Sequence, residues 1–187
     1  MKKLFSNTHF FIVLCVIITV SFFLPFIAKG KIPIPADALL GLYHPWRDQS
    51  YANYSVEKFP VKNPLITDPV LQTYPWRKLA IASFKDKIAP LWNPYSFLGQ
   101  PLAGNIQSSP FQILNIFFLV LPFNIAWTVT IVSAPVLAAI FMFIFLRKST
   151  LSAASSLFGA IVFPFSGFFI AWLTWGNITQ TAMWLPL

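Results

Sequence analysis

Acidic side chains are what this sequence most lacks. Only five of its 187 residues are Asp or Glu (Asp37, Asp48, Glu57, Asp68 and Asp86), and all lie between positions 37 and 86. None of the long apolar stretches therefore carries a carboxylate that would serve as a proton relay or ion site, which counts against a proton-driven transporter. Cysteine is nearly absent. Cys15 stands alone, so no internal disulfide, redox pair or cysteine metal site can form, and packing is its expected role. Histidine is limited to His9 and His44, neither in an HExxH or triad-like setting, which leaves zinc and serine hydrolases little support. Gly41, Gly99 and Gly104 are isolated, so there is neither a P-loop nor a dinucleotide fingerprint.

What is present is apolar. Hydrophobic residues make up 57% of the chain and charged residues 10%, with 21 Phe and 7 Trp, a balance outside that of ordinary soluble domains. The run from Phe10 to Ala28 is free of charge and close to the roughly 20 residues needed to cross a bilayer core. A cleaved signal peptide is the alternative for this stretch, given the basic start Met1-Lys2-Lys3. Its apolar region would normally be about 7–15 residues with a small-residue cleavage site, and this one is longer and ends in FIAKGK.

The pattern predicts an all-α polytopic membrane protein with a large first extracytoplasmic loop. Residues 1–28 read as a cytoplasmic start and first span, and 29–110 as the loop. Pro122-Phe123-Asn124 breaks the next uncharged stretch, giving an interfacial or re-entrant helix at 111–123 and a second span at 124–146. A cytoplasmic turn at 147–150 leads to a third span at 151–175. Residues 176–187 then read as an extracytoplasmic turn and the beginning of a fourth span, so the chain is expected to be a piece of a longer polytopic protein. Lys2, Lys3, Arg147 and Lys148 place the N-terminus in the cytoplasm, while Lys29 and Lys31 pull the other way.

The net charge of +8 has no nucleic-acid motif to go with it, neither finger spacing nor a dense basic run. Nine basic residues in the loop are better matched to anionic headgroups or a phosphate-bearing lipid, a generic solvated face being the alternative. The sequons at Asn53 and Asn177 match too short a pattern to carry weight.

Within the loop one phrase occurs twice, DALLGLYHPWR from Asp37 and DPVLQTYPWR from Asp68. Asp68-Pro69 reads as an N-cap followed by proline at the first helical position, with Gln72 one turn on. Pro75 is expected to end or kink that turn, and WRKLAIASFKDK to continue as a helix lying at a membrane surface. Two uses of the phrase are open. Asp caps a helix, Trp anchors at headgroup depth and Arg binds lipid phosphate. Alternatively, Asp68 or Asp37 acts as a general base or holds Mg²⁺ or Mn²⁺ against a phosphate leaving group, as a hard oxygen ligand can. Trp46, Arg47, Trp76 and Arg77, with His44 and Gln72, then bind a lipid carrier and its sugar.

The succession DPVLQTYPWR, APLWNPYSFLGQPLAGNIQSSPFQILNIFF and FSGFFIAWLTWGNITQTAMWLPL resembles the N-terminal part of bacterial YfhO-like membrane proteins, grouped with GT-C-type glycosyltransferases. The likeness runs from about Pro33 to Leu187 and is most specific from Leu91 to Ser109. It implies a multi-span enzyme of the bacterial cytoplasmic membrane that uses a polyprenyl-phosphate-linked sugar donor. It also implies membrane-parallel helices in the first loop and a catalytic carboxylate there, matched by Asp68 in D-x-x-x-Q ahead of Asp37. Asn105 and Gln107 then contact sugar or satisfy loop backbone; for Asn93 the backbone role is the expected one. Family members are much longer than this chain. A non-catalytic lipid-binding scaffold and a flippase or transporter subunit are the competing readings.

Overall fold

The structure, a computed structural model, describes residues 2–51 and 61–187, with side chains from Thr8 onward. Lys2, Lys3 (as side chains), Glu57 and the sequon at Asn53 lie outside what is described. The chain is mostly helical and forms two compact units, Met1–Pro33 with Gln112–Leu187, and Ile34–Phe111.

In the first unit, α1 (Lys2–Ile27) is followed after the intervening segment by a 3₁₀ turn (Ile113–Asn115), α4 (Ile116–Val120), α5 (Phe123–Lys148), α6 (Ala153–Val162), α7 (Gly167–Trp172) and α8 (Asn177–Ala182); α2 (Ala36–Leu42) and α3 (Tyr74–Lys85) belong to the second unit. Three stretches are long and apolar enough to cross a membrane: Thr8–Ile27, Phe123–Lys148 and Ala153–Trp175. Hydropathy predicts the last as one continuous span. It is divided between Val162 and Gly167, where Phe163-Pro164-Phe165 forms a turn and Ser166 starts a new helix. Pro164 has no N–H to give to the ladder and its ring crowds the preceding turn, which is enough to interrupt it.

α5 lies at the centre, touching α1, α4, α6 and α8. Its buried face is built from small residues. Ala134 and Ala138 join Leu114, Phe169, Ala182 and Met183 in one cluster, while Ala139 joins Cys15, Phe143 and Ala160 in a second. Between apolar helices there is little hydrophobic gain from pairing in lipid, so close approach through small side chains is the source of attraction. Cys15 is buried in this packing, and the Phe11 ring stacks on Phe143 at 6.0 Å. The buried Trp127 of α5 donates its indole N–H to the carbonyl of Pro33 at 3.3 Å. Ser152 caps α6, its hydroxyl accepting the N–H of Ser155 at 3.1 Å.

In the second unit, α2 (Ala36–Leu42) and a 3₁₀ turn (Trp46–Asp48) precede a π-helical turn (Pro69–Thr73) that runs directly into α3 (Tyr74–Lys85). A two-stranded antiparallel hairpin comes next, β1 (Trp92–Asn93) with β2 (Gln100–Pro101), in the register Trp92 opposite Pro101 and Asn93 opposite Gln100. The expectation that Pro75 ends or kinks its turn is corrected in part, because the helix passes through it. A proline ring clashes with the carbonyl four residues back, which here is Leu71. The wider π turn holds Leu71, and the Tyr74 N–H reaches five residues back to Pro69. Helix and proline coexist because the turn ahead of the proline is expanded.

Candidate functional site

The two copies of the repeated phrase take different structures. The first leaves α2 as a turn with a cis His44-Pro45 bond and the short 3₁₀ segment. His44, Trp46 and Arg47 are all exposed. The His44 imidazole Nδ1 meets the Asp48 carboxylate, Arg47 Nε lies 3.9 Å from the same group, and the Tyr51 hydroxyl donates to the Trp46 carbonyl at 2.9 Å. These contacts hold the turn together around Asp48.

The second copy is helical. Asp68 stands at the N-cap position with Pro69 next, as the dipeptide suggested, but its carboxylate takes no capping hydrogen bond. It makes no hydrogen bond or ion pair among the described residues, and neither does the side-chain amide of Gln72. Trp76 is half-buried and Arg77 is buried. Burial pushes the Arg77 guanidinium down from its ordinary value to about 10, because a charge is poorly solvated there.

Asp37 is differently placed. It lies in the first turn of α2, where its Oδ2 accepts the backbone N–H of Lys62 at 2.9 Å. α2 touches the π turn, so the elements carrying the two aspartates are neighbours. Among the described residues the Asp68 oxygens are not engaged, whereas Asp37 already ties down a loop.

A groove of about 400 Å³ runs between α3 and the hairpin. Leu71, Pro75, Leu79 and Ala82 line it at spacings of three to four, one face of the helix, with Trp76 and Lys78 beside them. Asn93, Tyr95 and Ser96 form the opposite wall. The Asn93 side chain shapes that wall, its Oδ1 accepting the Tyr95 N–H at 3.0 Å and its Nδ2 donating to Ser96 Oγ at 2.9 Å. The groove thus offers aromatic faces, a hydroxyl and one exposed ammonium, groups suited to a sugar and a phosphate. Asp68 is outside its lining but only three residues before Leu71, about 5 Å of helical rise.

Among the residues expected to bind substrate, Trp76 lines this groove. Gln72 is adjacent to it in sequence. Asn105 and Gln107 are not in its lining; Asn105 Oδ1 accepts the Gln107 N–H at 3.0 Å in a turn closed by Ser108, whose hydroxyl donates to the carbonyls of Leu102 at 2.7 Å and Asn105 at 2.8 Å. Lys78, Tyr95 and Ser96 were missed by sequence reasoning, although their signal was present: an apolar stripe on one helix and, soon after it, an Asn-Pro-Tyr-Ser turn.

The divalent cation expected from the sequence can be tested against the donors present. No group of three or more His, Cys, Asp or Glu side chains converges among the described residues. With one oxygen of Asp37 engaged by Lys62, the described donors do not form a cation cradle by themselves. Comparison of the chain with protein families, with curated proteins and with solved structures finds no match.

Proposed function

We propose that this chain is part of a YfhO-like, GT-C-type glycosyltransferase of the bacterial cytoplasmic membrane, with its N-terminus in the cytoplasm and residues 34–111 on the outer side. It transfers a sugar from a polyprenyl-phosphate-linked donor. The observation that carries this reading is a carboxylate, Asp68, that has no partner among the described residues and stands at the start of the helix whose face builds the aromatic and cationic groove.

In this scheme Trp76 and Tyr95 hold the sugar and Lys78 meets the donor phosphate. Asp68 takes the proton from an acceptor hydroxyl as its oxygen bonds to the anomeric carbon; the bond from that carbon to the phosphate oxygen breaks, and polyprenyl phosphate leaves with the electron pair. Arg77, being buried, supports the helix rather than meeting the donor.

A non-catalytic, lipid-binding scaffold is the second reading, favoured by the first phrase, in which Trp46 and Arg47 are exposed and Asp37 is engaged structurally. The two are separated by measuring transfer from radiolabelled polyprenyl-phosphate sugars in membranes of cells expressing the chain from its own locus. Asp68→Asn is expected to lower transfer about a hundredfold or more at unchanged protein level, and Asp37→Asn to leave most of it, since Asn keeps an acceptor for Lys62. Equal transfer by Asp68→Asn and the parent sinks the enzymatic reading of this loop.

A further inference from the structure

The hairpin that walls the groove ends in a tip of unusual character. Phe97 is 99% exposed, Leu98 is 102% exposed and Tyr95 83%, so the two largest apolar side chains of the tip pack on none of the described residues. Phe97 is also held at φ +55°, in the left-handed region that a bulky residue seldom adopts. Such strain persists only where the surroundings impose it, and it gathers at functional places.

The surroundings that impose it are well defined. Asn93 clasps the Tyr95 N–H and the Ser96 hydroxyl, the Gly99 N–H returns to the Ser96 carbonyl at 2.9 Å, and Trp92 lies flat against Gly99. The tip is therefore a preformed projection, in which the rigid base spends its hydrogen bonds on presenting Phe97 and Leu98 outward. Its chemistry is mixed. Phe97 and Leu98 are exposed, the exposed and amphipathic Tyr95 is two residues before Phe97, and the exposed Lys78 lines the same groove as Tyr95. Apolar side chains, a tyrosine and an ammonium are the groups that suit the acyl boundary, headgroup zone and phosphates of a bilayer surface.

We infer that the 94–98 tip is a membrane wedge, its Phe97 and Leu98 side chains inserted into the outer leaflet of an anionic bilayer. The segment is joined at both ends to stretches apolar enough to span, so the bilayer is the partner that is always within reach. This rests on the proposed placement of residues 34–111 beside the membrane, and not on catalysis. Because Tyr95 and Ser96 belong to both tip and groove, insertion sets the groove at headgroup depth.

The test uses the whole chain with Cys15→Ala, reconstituted in vesicles of phosphatidylcholine with one quarter phosphatidylglycerol. A nitroxide is attached at Phe97→Cys, in a second sample at Leu98→Cys, and in a control at Gln49→Cys, an exposed polar position. Collision with molecular oxygen and with a water-soluble nickel chelate is then read by power saturation. The wedge requires both tip labels to favour oxygen over nickel several-fold more than the control. Ready access to nickel at both labels places the tip in water and overturns the inference. Exclusion of both reagents places it against protein, a second copy or another polypeptide, and overturns it equally. Sugar transfer does not enter this readout, so loss of the enzymatic proposal leaves the wedge standing, and the reverse.

Discussion

Gly99 and Trp92 are in contact across the hairpin: a Cβ placed on Gly99 would lie 2.6 Å from the indole Nε1 and 2.7 Å from Cζ2 of Trp92. Gly99 also sits at φ +103°, where other residues are strained. Both facts make this glycine a requirement of the hairpin base.

Gly99→Ala is therefore expected to displace Trp92 and to loosen the turn by about 1–3 kcal/mol. Limited proteolysis within residues 92–101 checks it, with cleavage expected roughly tenfold faster than in the parent while the spanning helices stay resistant. Unchanged cleavage would mean that the indole moves aside freely.

Arg77 gives a pH-dependent expectation. Its folded value of about 10 lies below its ordinary one, so from about pH 10 upward the unfolded chain binds more protons and stability rises with pH. Below about pH 10 the buried guanidinium stays charged, against the pull of desolvation. Arg77→Met removes the titrating group, so the parent's stability relative to the variant should rise as pH passes 10. Denaturant unfolding in detergent at a neutral and an alkaline pH measures the difference, and a difference independent of pH would refute the sign.

In the spanning unit, Ala139 packs with Cys15, Phe143 and Ala160 where α5 meets its neighbours. Ala139→Leu is expected to overpack this contact by about 1–3 kcal/mol, seen as a lower unfolding midpoint in detergent. Ala→Leu at an exposed position such as Ala82 serves as the control for added bulk alone.

The apolar stretches were legible because length and lack of charge are properties of the chain itself. α1 and α5 fall within a few residues of their expected bounds when the basic ends of each are allowed to be helical. The break at Phe163–Ser166 was also written in the sequence, as Pro164 before a Ser-Gly helix start, but hydropathy alone passes over it.

The repeated phrase was the least legible part. Near-identical words led to different structures because their C-terminal neighbours differ. Leu79, Ala80 and Ile81 give the second copy an apolar face on which a helix can pack, whereas Asp48, Gln49 and Ser50 give the first none. The groove depends on the meeting of α3 with a hairpin some way further along the chain, and spacing within one helix does not announce such a meeting. Nor does sequence tell that Asp37 is engaged by Lys62 and Asp68 is not.

The π turn at Pro69–Thr73 has a consequence for how this loop can change over time. An expanded turn holds one residue more than an α turn would, and each residue of helix corresponds to about 100° of rotation. Because the wide turn takes up its extra residue within a single revolution, loss of one codon there would restore an α turn and leave Asp68 on nearly the same bearing relative to Pro75, Leu79 and Ala82. A codon lost from the regular helix beyond it would instead turn Asp68 by about that angle against the residues that follow. The turn is thus a place where a lineage could change the length of this helix without redirecting the carboxylate.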